Sequence, residues 1–105
     1  MSDAQLQIKN LLDQHPVVLF MKGTPQFPQC GFSSQVIAIL KQYPIEFHSV
    51  NVLDDEAIRH GIKDYGDWPT IPQLYVQGQL IGGCDILTEL HQKDQLRAQL
   101  LIDAS

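Results

Sequence analysis

Apolar residues recur along this chain in two rhythms, one helical and one strand-like. Leu6, Ile8, Leu11 and Leu12 form a partial helical stripe behind Asp3, a residue type that caps helices, and predict a helix over residues 4–14. His15-Pro16 ends it, because the residue before a proline avoids the α region. Val17-Val18-Leu19-Phe20-Met21 is a short unbroken apolar run, the pattern of a strand covered on both faces. Gly23, Pro25 and Pro28 mark a loop. Ser33-Ser34 then leads into Val36, Ile37, Ile39 and Leu40, a helix of about three turns that stops near Tyr43-Pro44.

The second half repeats the alternation. Glu46 to Val52 predicts a strand, and Asp54-Asp55-Glu56 places acids where a helix dipole favours them. Ile58, Ile62 and Tyr65 carry that helix forward. Gln73-Leu74-Tyr75-Val76 and Gln79-Leu80-Ile81 flank Gln77-Gly78 as a hairpin. Gly82-Gly83 breaks the pattern. Asp85 is placed to cap a final helical segment carrying Ile86, Leu87 and Leu90, then Leu96, Leu100 and Leu101. Strands alternating with helices imply an α/β fold with a parallel pair and right-handed crossovers, and the terminal hairpin adds antiparallel strands. The expected architecture is a mixed central sheet of about four strands with helices on both faces.

Composition narrows the function. The chain has 105 residues, the size of one domain spanning residues 1–105, and 44% of them are hydrophobic, as in an ordinary folded protein. A net charge of −5 with no basic run argues against nucleic-acid binding and against an anionic membrane surface. No basic start followed by an apolar stretch opens the chain, and no apolar run approaches bilayer length, so a soluble cytoplasmic protein is expected. In such a reducing compartment the two cysteines, Cys30 and Cys84, are expected to be free thiols.

Cys30 lies between the proline-containing loop and a predicted helix start. Unpaired N–H groups and the dipole at such a site favour the thiolate, the form that attacks and ligates, and lower a cysteine pKa from ~8.5 to as little as ~3.5–7.5. Lys22, after the first strand, adds positive charge. Ser33 stands where a C-x-x-C pair has its second cysteine, and serine cannot resolve a mixed disulfide. A monothiol route that takes its second thiol from outside is what remains. The alternative for Cys30 is an inert core thiol, against which the loop position argues. Cys84 reads either as a second redox thiol or as a small, partly buried residue. The four histidines, His15, His48, His60 and His91, show no ligand spacing. Arg59 and Lys63 share one helical face. Trp68 reads equally as a groove residue or as core.

Phe20-Met21-Lys22-Gly23-Thr24-Pro25 and Pro28-Gln29-Cys30-Gly31-Phe32-Ser33 resemble the CGFS class of monothiol glutaredoxins. Trp68-Pro69-Thr70-Ile71-Pro72-Gln73-Leu74-Tyr75 and Gly82-Gly83-Cys84-Asp85 match the same family in order and spacing, so the resemblance runs over essentially the whole chain. It implies a thioredoxin-like fold with Pro72 as the cis-proline that shapes a glutathione groove. Glutathione would pair with the main chain at Ile71, where relatives commonly carry an aromatic. Its glycine carboxylate would meet Lys22 and Arg59, and its γ-glutamyl end the backbone at Cys84 and Asp85, with Asp85 also pairing with the ammonium. The resemblance lifts Arg59 above Lys63 as a ligand contact and leaves Gln26-Phe27 without a role.

The resemblance also implies a [2Fe–2S] cluster. Such a cluster usually takes four thiolates. Two chains each giving Cys30, each with one glutathione, supply that number and make a cluster-bridged homodimer. The implied role is delivery to apo iron–sulfur acceptor proteins, or iron signalling with a BolA-like partner. The rival reading is an enzyme that reduces protein–glutathione mixed disulfides through Cys30. A third is an interaction module with a vestigial site.

Overall fold

A computed structural model describes residues 2–100. Helix α1, Asp3–Gln14, is capped by the Ser2 side chain, which accepts the Gln5 N–H, so Ser2 and not Asp3 is the cap. Serine one residue earlier offers the same acceptor and leaves Asp3 in the first turn, where its charge meets the dipole. The helix buries Ile8 and Leu12, whereas Leu6 is 49% exposed and takes no part in the core. Strand β1, Val17–Met21, is buried along its whole length, as its unbroken apolar run requires. Helix α2 runs Gly31–Leu40 and begins on Cys30.

Strand β2 is His48–Asn51, shorter than the span read from sequence. Its hydrogen-bonded register against β1, from Val18–His48 to Met21–Asn51, sets that length. Helix α3, Glu56–Gly66, is capped by Asp55 through the Ile58 N–H. Strands β3, Gln73–Val76, and β4, Gln79–Gly82, form the hairpin around Gln77-Gly78. Helix α4, Cys84–Gln92, starts on Gly83 without a side-chain cap, so Asp85 lies inside the first turn and does not cap it. The final helical segment is split, because Asp94 adopts a positive φ of 57° between α4 and a short α5, Leu96–Gln99. Leu101 lies outside the described residues.

The sheet order is β2-β1-β3-β4, with β1 parallel to β2 and antiparallel to β3, and β3 antiparallel to β4. This is the mixed sheet read from the pattern, in the thioredoxin-like fold that the resemblance implied. Two cores sandwich it. One, holding Leu19, Val36, Leu40, Leu74, Leu87 and Leu96, lies on the face of α2 and α4. The other, holding Ile8, Val18, Phe20, Ile58, Ile62 and Tyr75, lies under α1 and α3. Adjacent residues of β1 feed opposite cores, since side chains alternate along a strand. Each of these fully buried aliphatic side chains is worth ~1.5–3 kcal/mol by removal from water. The two middle strands, β1 and β3, are thus the rigid frame from which the functional loops depart.

Candidate functional site

Three segments leave the same end of the sheet. The first follows β1. Lys22 and Gly23 lead into a loop closed by a bridge between Gly23 and Pro28, and the Gln29 N–H donates to the Lys22 carbonyl at 2.9 Å. Gly23 has a φ of +92°, and a Cβ there would sit 2.5 Å from the Phe27 carbonyl oxygen, so only glycine fits the turn. The Asn51 side chain, at the end of β2, accepts the Gly23 N–H at 2.9 Å and fixes the loop to the sheet. That closure delivers Cys30 to the start of α2.

Cys30 is the N-cap of α2. Its sulfur accepts the Ser33 N–H at 3.3 Å and lies 3.4 Å from the Ser33 hydroxyl. Ser33 is fully buried, and its Oγ also accepts the Lys22 N–H at 3.1 Å. The hydroxyl therefore ties the end of β1 to the thiol and has its own proton to donate to a thiolate. Partial burial opposes ionisation of Cys30. The Ser33 hydroxyl, the Ser33 and Phe32 N–H groups and the Lys22 charge outweigh it, and the thiol is held below the ordinary cysteine range. In the sequence Ser33 stands at a helix start and in the place of a second cysteine. The i+3 spacing from an N-cap was the available signal of its positive role.

The second segment, between α3 and β3, carries Trp68-Pro69-Thr70-Ile71-Pro72. The Ile71–Pro72 bond is cis, as expected of Pro72, and both residues are buried. The third is the N-terminus of α4. Gly83 lets it close on the second segment, since a Cβ there would lie 2.9 Å from the Pro72 carbonyl oxygen and 3.3 Å from Trp68 Nε1. The room that the glycine leaves is thus taken by the protein's own backbone and indole.

These segments enclose a groove of about 350 Å³. Lys22, Ile71, Pro72, Cys84 and Asp85, five of the residues singled out from the sequence, line it together with Phe32 and Trp68. Cys30 is not among the lining residues, though the Lys22 charge and the Phe32 N–H, from two residues that are, both act on its sulfur. Arg59 does not line the groove, whereas Lys63, one turn later on α3, does. Sequence spacing placed both on one face. Only the direction of α3 toward the groove separates them. The buried Trp68 Nε1 has no hydrogen-bond partner, which leaves an unused donor in the groove wall.

Cys84 is buried. Burial pushes its thiol up, against a lowering contact from Thr88, and the charges of Asp85 and Cys30 push it further. Among the described residues no group of three or more His, Cys, Asp or Glu side chains could hold a metal ion. His15 and His48 stack on each other at 4.0 Å, and His91 Nδ1 is 2.6 Å from the Tyr43 hydroxyl, so these three rings have structural contacts of their own.

A profile of the family Glutaredoxin matches residues 17–81. The chain belongs to the glutaredoxin family. Its branch is the monothiol one: a probable monothiol glutaredoxin 2 of Rickettsia prowazekii is 52% identical over 93 residues, covering 89% of this chain and 87% of that protein. Several other relatives are longer, and the chain spans only 18% to 29% of them. The solution structure of reduced poplar apo GrxS14 superposes on this glutaredoxin with a TM-score of 0.81 at 47% identity, covering 92% of this chain and 89% of that one. A buckwheat glutaredoxin–glutathione complex gives a TM-score of 0.81 at 25% identity, over 93% of this chain and 87% of that one. No described helix is long and apolar enough to cross a membrane.

Proposed function

We propose that this glutaredoxin carries a [2Fe–2S] cluster as cargo, held between two copies of the chain by Cys30 of each and by glutathione seated in each groove. It then passes the cluster to apo iron–sulfur proteins. The observation that carries the reading is the environment of Cys30: a partly open thiol, stabilised as thiolate at a helix N-cap, with a buried serine where a resolving cysteine would stand. Thiolate is the form that ligates iron, and the soft donor suits it. The donor set of one chain fits only a shared cluster, because one such thiolate is far short of the usual four. Glutathione supplies the rest. The bound tripeptide of the buckwheat structure supports the groove as its seat. Lys22 and Lys63 would meet its carboxylates there, and Asp85 its ammonium. Half of the ligands being exchangeable small molecules makes the cargo releasable. A BolA-like protein is a further partner this reading admits, and a reducing cytoplasm is the setting that keeps both thiols free.

The lowered Cys30 pKa also favours a second activity at the same site. The Cys30 thiolate attacks the glutathione sulfur of a protein–glutathione disulfide and forms Cys30–glutathione disulfide, and the protein leaves as thiolate. A second glutathione thiolate then attacks that bond, frees Cys30 and leaves as oxidised glutathione.

Anaerobic reconstitution with iron, sulfide and glutathione, read by visible absorption and sedimentation, separates the two. A coloured dimer that forms only with glutathione, from an apo monomer, is expected. A colourless monomer active on glutathionylated protein would replace the carrier by the reductase. A coloured dimer forming equally well without glutathione would remove the groove from the ligand set.

A further inference from the structure

Gln73 is the first residue of β3, directly after Pro72, and is completely buried. Among the described residues Ser33 is the other buried polar side chain, and its contacts are with the thiol. The amide of Gln73 is used at both ends. Nε2 donates to the Trp68 carbonyl at 3.1 Å and to the Thr70 carbonyl at 3.2 Å. Oε1 accepts the Tyr75 hydroxyl at 2.9 Å. Burial, helped by Tyr65, pushes the Tyr75 phenol up, so it remains a donor at any physiological pH. The two carbonyls can only accept, so they hold the amide nitrogen toward themselves and leave Oε1 facing the Tyr75 hydroxyl, which donates to it. Gly66 completes the fit, because a Cβ there would run into the Tyr75 hydroxyl and Gln73 Oε1.

The two carbonyls belong to the wall of the groove. Residues Trp68 to Pro72 all line it. Two of the five are prolines, which have no N–H, so this stretch cannot build a ladder of its own. We propose that Gln73 is a positioning residue for the groove, a clamp that holds the Trp68–Thr70 wall at the height a bound tripeptide needs, with Tyr75 anchoring the amide oxygen. The inference rests on the groove being the glutathione site. It adds that the wall is tied from beneath by one buried amide, beside the bond that the Trp68 N–H donates to the Lys63 carbonyl. Removing the amide leaves two carbonyls and a phenol short of partners, and the wall relaxes to satisfy them.

Trp68 is the sole tryptophan of the chain, so its fluorescence reports the wall directly. Gln73→Met keeps the side-chain length and removes every hydrogen bond. In the folded full chain it should weaken glutathione binding about tenfold by calorimetry, red-shift Trp68 emission and increase acrylamide quenching. The Cys30 thiol titration, followed at 240 nm, should not move, because Ser33 and Lys22 lie outside the wall. Tyr75→Phe keeps the amide but removes the donor to its oxygen, and a loss of about threefold is expected. It decides alone if Gln73→Met does not fold. Wild-type affinity and emission in a folded variant would overturn the clamp, and so would a lowered melting temperature with affinity unchanged. If the parent chain binds no glutathione, the groove reading fails instead, and Trp68 emission and quenching decide the clamp by themselves.

Discussion

Cys30 and Cys84 each stand at the start of a helix near the same groove, yet their thiols are pushed in opposite directions. Proximity to a helix N-terminus is therefore not what makes a cysteine reactive. Cys30 is the N-cap itself, the one position whose side chain can accept the N–H three residues on. Cys84 is one residue further in, after Gly83, where its side chain turns into the core beside Leu87 instead of back over the open N–H groups. The neighbours differ in the same sense. Lys22 faces Cys30, while Asp85 follows Cys84. One residue of register in the first helical turn, and the sign of one adjacent charge, divide a thiol biased toward the thiolate from a quiet core thiol.

The largest effect that tests this contrast is deletion. Cys30→Ser should lose all cluster assembly and all thiol transfer, since serine is a poor soft-metal ligand and a weak nucleophile. Cys84→Ser should still assemble the cluster. If Cys84→Ser folds and assembles none, the two thiols are partners and the contrast is broken. Next in size is selectivity of alkylation. Iodoacetamide near neutral pH should label Cys30 at least about tenfold faster than Cys84, as mass spectrometry of digests would show. Ser33→Ala sharpens the point, because it removes a hydroxyl that stabilises the thiolate but spares the Cys30 N-cap geometry. The Cys30 titration midpoint should rise and its labelling slow several-fold.

A smaller difference is expected between the two cations of α3. Lys63→Ala should weaken glutathione binding by roughly twofold to fivefold, the range of a partly solvated ion pair, and Arg59→Ala by less. The reverse order by calorimetry would mean that α3 turns on binding. The smallest effect is on stability. The folded pKa of Cys30 is depressed, so its thiolate stabilises the fold fully above the unfolded value near ~8.5, and that contribution is lost as pH falls through the folded pKa. The stability advantage of the parent over Cys30→Ser should therefore grow with rising pH toward that limit in urea melts. A gap that narrows with rising pH would contradict the lowered pKa.

Much of the fold was legible because its signals are local. The unbroken run at Val17–Met21 has the pattern of a doubly covered strand, and Gln77-Gly78 that of a hairpin turn, and the structure has both. Helix boundaries were less legible where two acceptable caps stood side by side, as with Ser2 and Asp3. Asp85 misled for a different reason: Gly83 begins α4 by packing against Pro72 and Trp68, a tertiary contact that no capping pattern encodes. At the site, the motifs pointed to Lys22, Pro72 and Asp85, and these line one cleft. What they did not reveal were residues whose role lies in a direction of approach. Lys63 against Arg59 is decided by where α3 points, and Gln73 by which side of β3 its amide enters. Period-two and period-three patterns say which residues share a face, not what that face meets.

The loop that precedes Cys30 has a kinetic consequence. Gly23 and Pro28 bridge it, Asn51 ties it to β2, and the Lys22 carbonyl receives Gln29. These contacts hold the loop, and with it the sulfur, through the protein's own residues. A thiol-bearing ligand would then meet a sulfur whose ordering entropy was lost during folding, when the whole core shared that cost. Encounter should lead to capture in one step without a slow rearrangement phase, so that observed association rates rise linearly with glutathione concentration and do not level off.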